Sequence, residues 1–208
     1  MLKVDAIASA NAAKEPFCFF VTHVLEAVDL DKIRADIPKI EKPGIHPLED
    51  LKYGPSFAKI IEEMHSPEFT EAVGKQLGID LKGLPTMITV RGKAQAKDGR
   101  IHTDTSDKVA TCLLYLNGAW DESGGRLRVL RSGHDLEDFI AEVPPHGGTF
   151  LAFKVADNSW HGHKPFVGER RYIMMNWMKS DAARSRQYGR HKLSSKVKKL
   201  IPFFYRGK

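Results

Sequence analysis

At about residue 84 the hydrophobic rhythm of the chain changes. Before it, apolar residues recur at helical spacing. After it they alternate, in short runs cut by Asp98-Gly99, Asn117-Gly118, Ser123-Gly124-Gly125, Pro144-Pro145-His146-Gly147-Gly148 and Val167-Gly168. A period of two marks strands with one buried face, and Gly, Pro, Asn and Asp at such intervals are turn residues. The pattern predicts strands over 86–91, 93–96, 100–104, 111–116, 126–131, 139–143, 149–153, 161–165 and 172–177. Strands this short and numerous, with helices only ahead of them, do not build a parallel α/β sheet. They predict a mainly β fold with flanking helices: a double-stranded β-helix, the jelly-roll or cupin-like barrel, supported by N-terminal helices.

The support region reads as a strand over 17–21, then a helix over 25–37 stopped by Pro38. Phe57, Ile60, Ile61 and Met64 stripe a second helix. Ser66-Pro67 opens a third, with Ser66 as N-cap, and Gly78 closes it. The expected division is one domain over 1–179 (helical support 1–83, barrel 84–179), followed by a basic, helical extension over 180–208.

Charge supports that division. The net charge is +6, yet residues 179–208 hold ten Lys/Arg and one acid, so the remainder carries 22 basic and 25 acidic residues, a net of −3. A mildly acidic body argues against a specific nucleic-acid partner and confines any polyanion contact to the tail. The two cysteines lie in apolar runs and read as buried free thiols of a reducing compartment. There is no apolar stretch of bilayer length and no unbroken apolar leader. The expectation is a cytoplasmic protein, monomer or homodimer.

His102 and Asp104 stand two apart at the mouth of the apolar run Val109–Leu116. In an extended segment such residues point the same way and can converge on one ion. A third ligand is wanted from another strand, and His161 and His163 both offer one. Two imidazoles and a carboxylate on one face of an octahedron leave three positions open, an arrangement suited to Fe(II) or Mn(II) and found in non-haem Fe(II) oxygenases.

Segment 100–179 resembles the catalytic half of a 2-oxoglutarate- and Fe(II)-dependent dioxygenase of the prolyl 4-hydroxylase type. The resemblance rests on His102-Thr103-Asp104, Leu114-Tyr115-Leu116-Asn117, Gly124-Gly125-Arg126-Leu127-Arg128, Glu142-Val143-Pro144, Thr149–Phe153, His161 with Pro165 four residues on, and Arg171-Tyr172 with Trp177. It is especially close to the oxygen-sensing prolyl hydroxylases in Tyr-Leu-Asn and Gly-Gly-x-Leu-Arg. The resemblance implies His102, Asp104 and His161 as metal ligands, Pro165 favouring His161 over His163. It implies Fe(II), 2-oxoglutarate as co-substrate and O2, with ascorbate as an optional reductant. The reaction implied is hydroxylation of an unactivated C–H with release of succinate and CO2.

The family anchors the far carboxylate of 2-oxoglutarate on an Arg nine or ten residues after the last His, and Arg170 and Arg171 occupy both places. Arg171 shares a strand face with Ile173, Met175 and Trp177 and is followed directly by Tyr, as in the similar enzymes. Arg171 is therefore the expected anchor and Arg170 a structural ion-pair partner on the other face. Tyr115 matches the tyrosine that donates to the same carboxylate, and Leu127 and Thr149 are candidate pocket lining. Peptidyl proline or another amino-acid side chain is the favoured substrate. The alternatives are a sugar or lipid-linked glycan at a membrane surface, or a metal-binding barrel without turnover.

In the tail, Leu193, Val197, Leu200 and Ile201 form one helical stripe among lysines. The favoured expectation is a helix docked on the barrel. The other is attachment to an anionic membrane surface or a polyanion.

Overall fold

The computed structural model describes residues 1–189. It has two antiparallel sheets. The six-stranded sheet takes β1 (Phe19–His23), β7 (Thr149–Lys154), β4 (Lys108–Tyr115), β9 (Gly168–Met178), β3 (Thr86–Ala94) and β2 (His46–Pro47), in that spatial order. The three-stranded sheet takes β6 (Phe139–Val143), β5 (Leu127–Leu130) and β8 (His161–His163). The expected double-stranded β-helix is the fold observed.

The core has two layers, and strand parity assigns each side chain to one of them. Leu113, Tyr115, Leu127, Val129, Val143, Leu151, Phe153, Tyr172 and Met174 fill the barrel between the sheets. The alternate residues of the same strands, Cys112, Leu114, Phe150, Ala152, Ile173, Met175 and Trp177, pack outward. They meet α1 (Val4–Ala8), α2 (Ala27–Ala35), α3 (Pro55–Met64) and α4 (Pro67–Leu77). The large sheet is thus buried on both faces, which is why β4 and β9 read as nearly continuous apolar runs. The helices cover the outer face of that sheet.

Local signals in the helices hold. Ser66 accepts a hydrogen bond from the Phe69 amide and caps α4, and Gly78 closes it in the left-handed conformation at φ 64. Phe57, Ile60, Ile61 and Met64 are the buried stripe of α3. The five-residue α1 is too short to show a period and was not expected. Cys112 is buried and Cys18 half-buried, both as free thiols.

Two strand expectations change. Residues 86–91 and 93–96 are not two strands: β3 is continuous through Ala94, with its register against β9 shifting between Arg91 and Lys93. Residues 100–104 are not a strand. His102 makes one isolated bridge to His161, after which the chain leaves the sheet. Thr103, Asp104, Thr105, Ser106 and Asp107 follow there, residue types whose side chains compete for backbone hydrogen bonds and favour turns.

The divisions at 83/84 and 179/180 do not coincide with edges of packing. β1 and β2 pair into the large sheet from the support region. Residues 181–189 are helical, and Ala183 is buried against Met87 and Met178. Among the described residues no helix is long and apolar enough to cross a membrane. The stripe Leu193, Val197, Leu200 and Ile201, with the docking and membrane readings attached to it, lies outside the described residues.

Candidate metal centre

His102 and His161 face each other across their single bridge, with mutual backbone hydrogen bonds of 3.0 Å and ring centroids 4.3 Å apart. Asp104 enters from the loop that follows. Ligand atoms of His102, Asp104 and His161 lie within 4.8 Å of one another, with His102 exposed, Asp104 half-buried and His161 buried. The group opens to solvent on the His102 side and is walled by Phe153, whose ring centroid is 4.9 Å from that of His161.

Two backbone carbonyls set the imidazole tautomers. Nδ1 of His102 lies 2.8 Å from the Arg100 carbonyl, and Nδ1 of His161 lies 2.9 Å from the Ser159 carbonyl. A carbonyl only accepts, so in each neutral ring Nδ1 carries the proton and Nε2 is left with a lone pair. Burial pushes His161 down to about 4, against the pull of the Asp104 charge. It is neutral at physiological pH, as a ligand must be.

The carboxylate is held by two groups, one of them braced by a third. Lys108 Nζ lies 2.9 Å from Asp104 Oδ1, and Thr111 Oγ1 donates to Oδ2 at 2.5 Å. Asn176 Nδ2 in turn donates to Thr111 Oγ1 at 2.8 Å. Burial alone would raise Asp104. The charges of Lys108 and His161 and the hydrogen bonds from Thr111 and Lys108 outweigh it and hold the carboxyl at about 2. The sequence reading missed Lys108, Thr111 and Asn176. Parity carries a partial signal: Thr111 shares a face with Leu113 and Tyr115, and Asn176 with Tyr172 and Met174.

His163 is not part of this group. It lies on the same barrel face as His161, but its ring packs on Gly99, where an added Cβ would come within 2.3 Å of it. Its Nδ1 meets the Lys164 carbonyl at 2.8 Å. Burial and then Arg170 push it down to about 4.

The two candidate arginines lie on the strand faces opposite to those expected. Arg171 does not enter the barrel. It lies on the helix-side face of β9 with Ile173, Met175 and Trp177, is 28% exposed, and pairs with Glu169 at 2.8 Å. Trp177, grouped with it, stacks on Phe69 in the helical layer at a centroid distance of 6.1 Å. Arg170 is the residue inside. It is 2% exposed, donates from Nε to the Gly125 carbonyl at 2.7 Å and from a terminal nitrogen to the Tyr115 hydroxyl at 3.2 Å. The alternation was read correctly and assigned to the wrong side, because both faces of β9 are apolar and periodicity cannot say which one lines the barrel.

Tyr115, buried at 0% exposure, and Leu127 are placed as expected in the barrel, and Thr149 is buried at the head of β7. Next to them Arg91 donates from Nε to the Tyr172 hydroxyl at 2.9 Å and pairs with Asp98.

These residues fit a ferrous ion and a dicarboxylic acid. The donor set is two neutral imidazoles and one carboxylate. The hydrogen bonds of the Arg170 guanidinium go to neutral oxygens, so this buried cation takes no counter-charge from Gly125 or Tyr115, an arrangement an anion would relieve. Thr89 Oγ1 and Asn176 Oδ1 are buried without a partner on barrel-facing positions of β3 and β9.

The buried histidines make the metal-free fold acid-labile. Unfolded histidines protonate near 6.5; His161 and His163 do so near 4 in the fold. Between those values unfolding takes up protons, so stability falls as pH falls, by on the order of 3 kcal/mol for each histidine. Below 3.8 the Asp104 contribution is lost as well, as pH falls toward about 2. The thermal midpoint of the metal-free chain should drop through this window, with a shallower slope in His163→Gln. A flat profile would contradict the burial described.

Residues 92–179 match the family model of the 2OG-Fe(II) oxygenase superfamily. A prolyl-4-hydroxylase of Pseudomonas putida is similar in structure, with 19% identity and a TM-score of 0.55 over 84% of this chain and 96% of that one. HygX of Streptomyces hygroscopicus, solved with nickel and 2-oxoglutarate bound, has 14% identity and a TM-score of 0.52 over 77% of this chain and 82% of that one. At these identities the likeness is one of fold. A comparison with curated proteins gave no match.

Proposed function

We propose that the chain, whose residues 92–179 match the family model of the 2OG-Fe(II) oxygenase superfamily, hydroxylates an unactivated C–H of an amino-acid side chain, peptidyl proline first among them. Fe(II) and 2-oxoglutarate are its cofactor and co-substrate. Together with O2 they supply the oxidising chemistry that such a bond requires, with succinate and CO2 as co-products. The observation that carries the reading is the convergence of His102, Asp104 and His161.

Each residue has a definable task. His102, Asp104 and His161 would hold the ion, two neutral imidazoles and one carboxylate being a donor set that suits Fe(II). The Arg100 and Ser159 carbonyls keep both Nε2 atoms available. Thr111 and Lys108 fix the carboxylate so that it does not rotate away. Arg170 and Tyr115 receive the far carboxylate of the co-substrate. Leu113, Leu127, Leu151 and Met174 keep the space between anchor and metal dry, which strengthens the Arg170–carboxylate attraction.

The choice of an amino-acid side chain is supported by Tyr115-Leu116-Asn117 and Gly124-Gly125-Arg126-Leu127-Arg128, which resemble the oxygen-sensing prolyl hydroxylases. Incubation with Fe(II), 2-oxoglutarate, O2 and proline-containing peptides tests it. The expected result is succinate in step with the gain of one oxygen atom by the peptide. Peptides left unmodified while free amino acids or glycans stimulate succinate release would overturn the substrate class.

A further inference from the structure

The backbone of the loop that carries Asp104 pairs with no strand. Between the bridge at His102 and the start of β4 at Lys108 the chain makes no strand pairing. Inside the loop a turn closes with the Lys108 amide donating to the Thr105 carbonyl at 3.0 Å. Besides the Lys108 and Thr111 bonds to the Asp104 carboxylate, the loop meets the C-terminal end of the described chain. The Lys179 amide donates to the Asp107 carbonyl at 2.9 Å. Gln187 Nε2 donates to Thr105 Oγ1 at 2.7 Å, and an Arg186 guanidinium nitrogen meets Asp107 Oδ1 at 2.6 Å.

These contacts are built into the fold. Gln187 is only 5% exposed, and its helix is seated by Ala183, 1% exposed, on Met87 and Met178 at the ends of β3 and β9. The Thr105 bond is part-buried, from a buried Gln187 to an exposed Thr105, whereas the Arg186 pair is half-exposed and worth little alone. Thr105 is the residue next to the carboxylate. A shift of its backbone by a fraction of an ångström moves Asp104 relative to two histidines fixed on the other side of the site.

We propose that Gln187, assisted by Arg186, is a positioning residue for the metal centre: through Thr105 and Asp107 the C-terminal helix holds the Asp104 loop from outside and so sets the affinity of the site for a divalent ion. This rests on the reading of His102, Asp104 and His161 as ligands. Neither Gln187 nor Arg186 touches the ion or the substrate.

The test is Mn(II) affinity, measured by titration on the full chain, set beside the thermal midpoint of the metal-free protein. Gln187→Ala should weaken Mn(II) binding about tenfold, the lower end of what residues supporting metal ligands contribute. Gln187→Glu reverses the bond, its carboxylate accepting a hydrogen bond from the Thr105 hydroxyl, and should restore affinity to within about threefold of wild type. Thr105→Val should weaken binding as Gln187→Ala does, and the double variant should be no worse than either single one. Leu77→Ala, which opens a cavity in the helical layer, should lower the midpoint without changing Mn(II) affinity. Gln187→Ala with unchanged affinity would overturn the positioning role while leaving the ligand assignment intact. A wild-type chain that binds no Mn(II), or binds it as well in His161→Ala, would instead overturn the ligand assignment.

Discussion

Arg170→Met is expected to raise the KM for 2-oxoglutarate about a hundredfold, while Arg171→Met leaves it within about twofold. The difference follows from where the two guanidinium groups lie. Arg170 is buried between Tyr115 and the Gly125 carbonyl, beside the apolar side chains of the barrel core. Removing one member of a buried, hydrogen-bonded charge pair costs about 2–5 kcal/mol, and a hundredfold is about 2.7 kcal/mol. Arg171 has an exposed pair with Glu169, worth less than about 1 kcal/mol. Arg170→Lys should fall between, because an ammonium keeps the charge and loses the fork. Without co-substrate, Arg170→Met should be as stable as wild type or more so, since it removes a buried charge whose hydrogen-bond partners are neutral. The reverse ranking of the two arginines in KM would return the anchor to Arg171.

The second large effect separates the two histidines of β8. His161→Ala should weaken Mn(II) binding by more than about a hundredfold, beyond the range found for residues that only support ligands. His163→Ala should change it less than about threefold. His161 faces His102 with its Nε2 free, whereas the His163 ring is packed on Gly99 and lies beyond the ligand group. His163→Ala should instead disturb the KM for 2-oxoglutarate, since Arg170 is its charged neighbour. Equal losses of metal in the two variants would mean that both rings ligate.

Much of this architecture was legible in the residues. The change of period near residue 84, the turn residues and the caps of α4 come from short-range physics and survive folding unchanged. His102 and Asp104 were legible as a pair, yet not for the reason first given: the two residues do not share a strand. The bridge stops at His102 and a polar loop carries Asp104 inward. The barrel-facing arginine was misread because β9 is apolar on both faces. Only the large sheet's position between barrel and helices tells Tyr172 and Met174 from Ile173 and Met175. Lys108, Thr111 and Asn176 were invisible for another reason. Their significance is a chain of hydrogen bonds across β4 and β9, joining positions 65 residues apart in its Asn176–Thr111 link. The C-terminal helix was likewise set aside with the basic tail, though its first turns belong to the fold and reach the metal loop.

The most direct test of the central claim is an anaerobic titration of the metal-free chain with Fe(II) and then 2-oxoglutarate, followed by visible absorption. Chelation of ferrous iron by the co-substrate in this site should give a charge-transfer band in wild type that requires both additions and is absent in Asp104→Ala and His161→Ala. A band undiminished in either variant, or no band in the folded wild-type chain, would contradict the account.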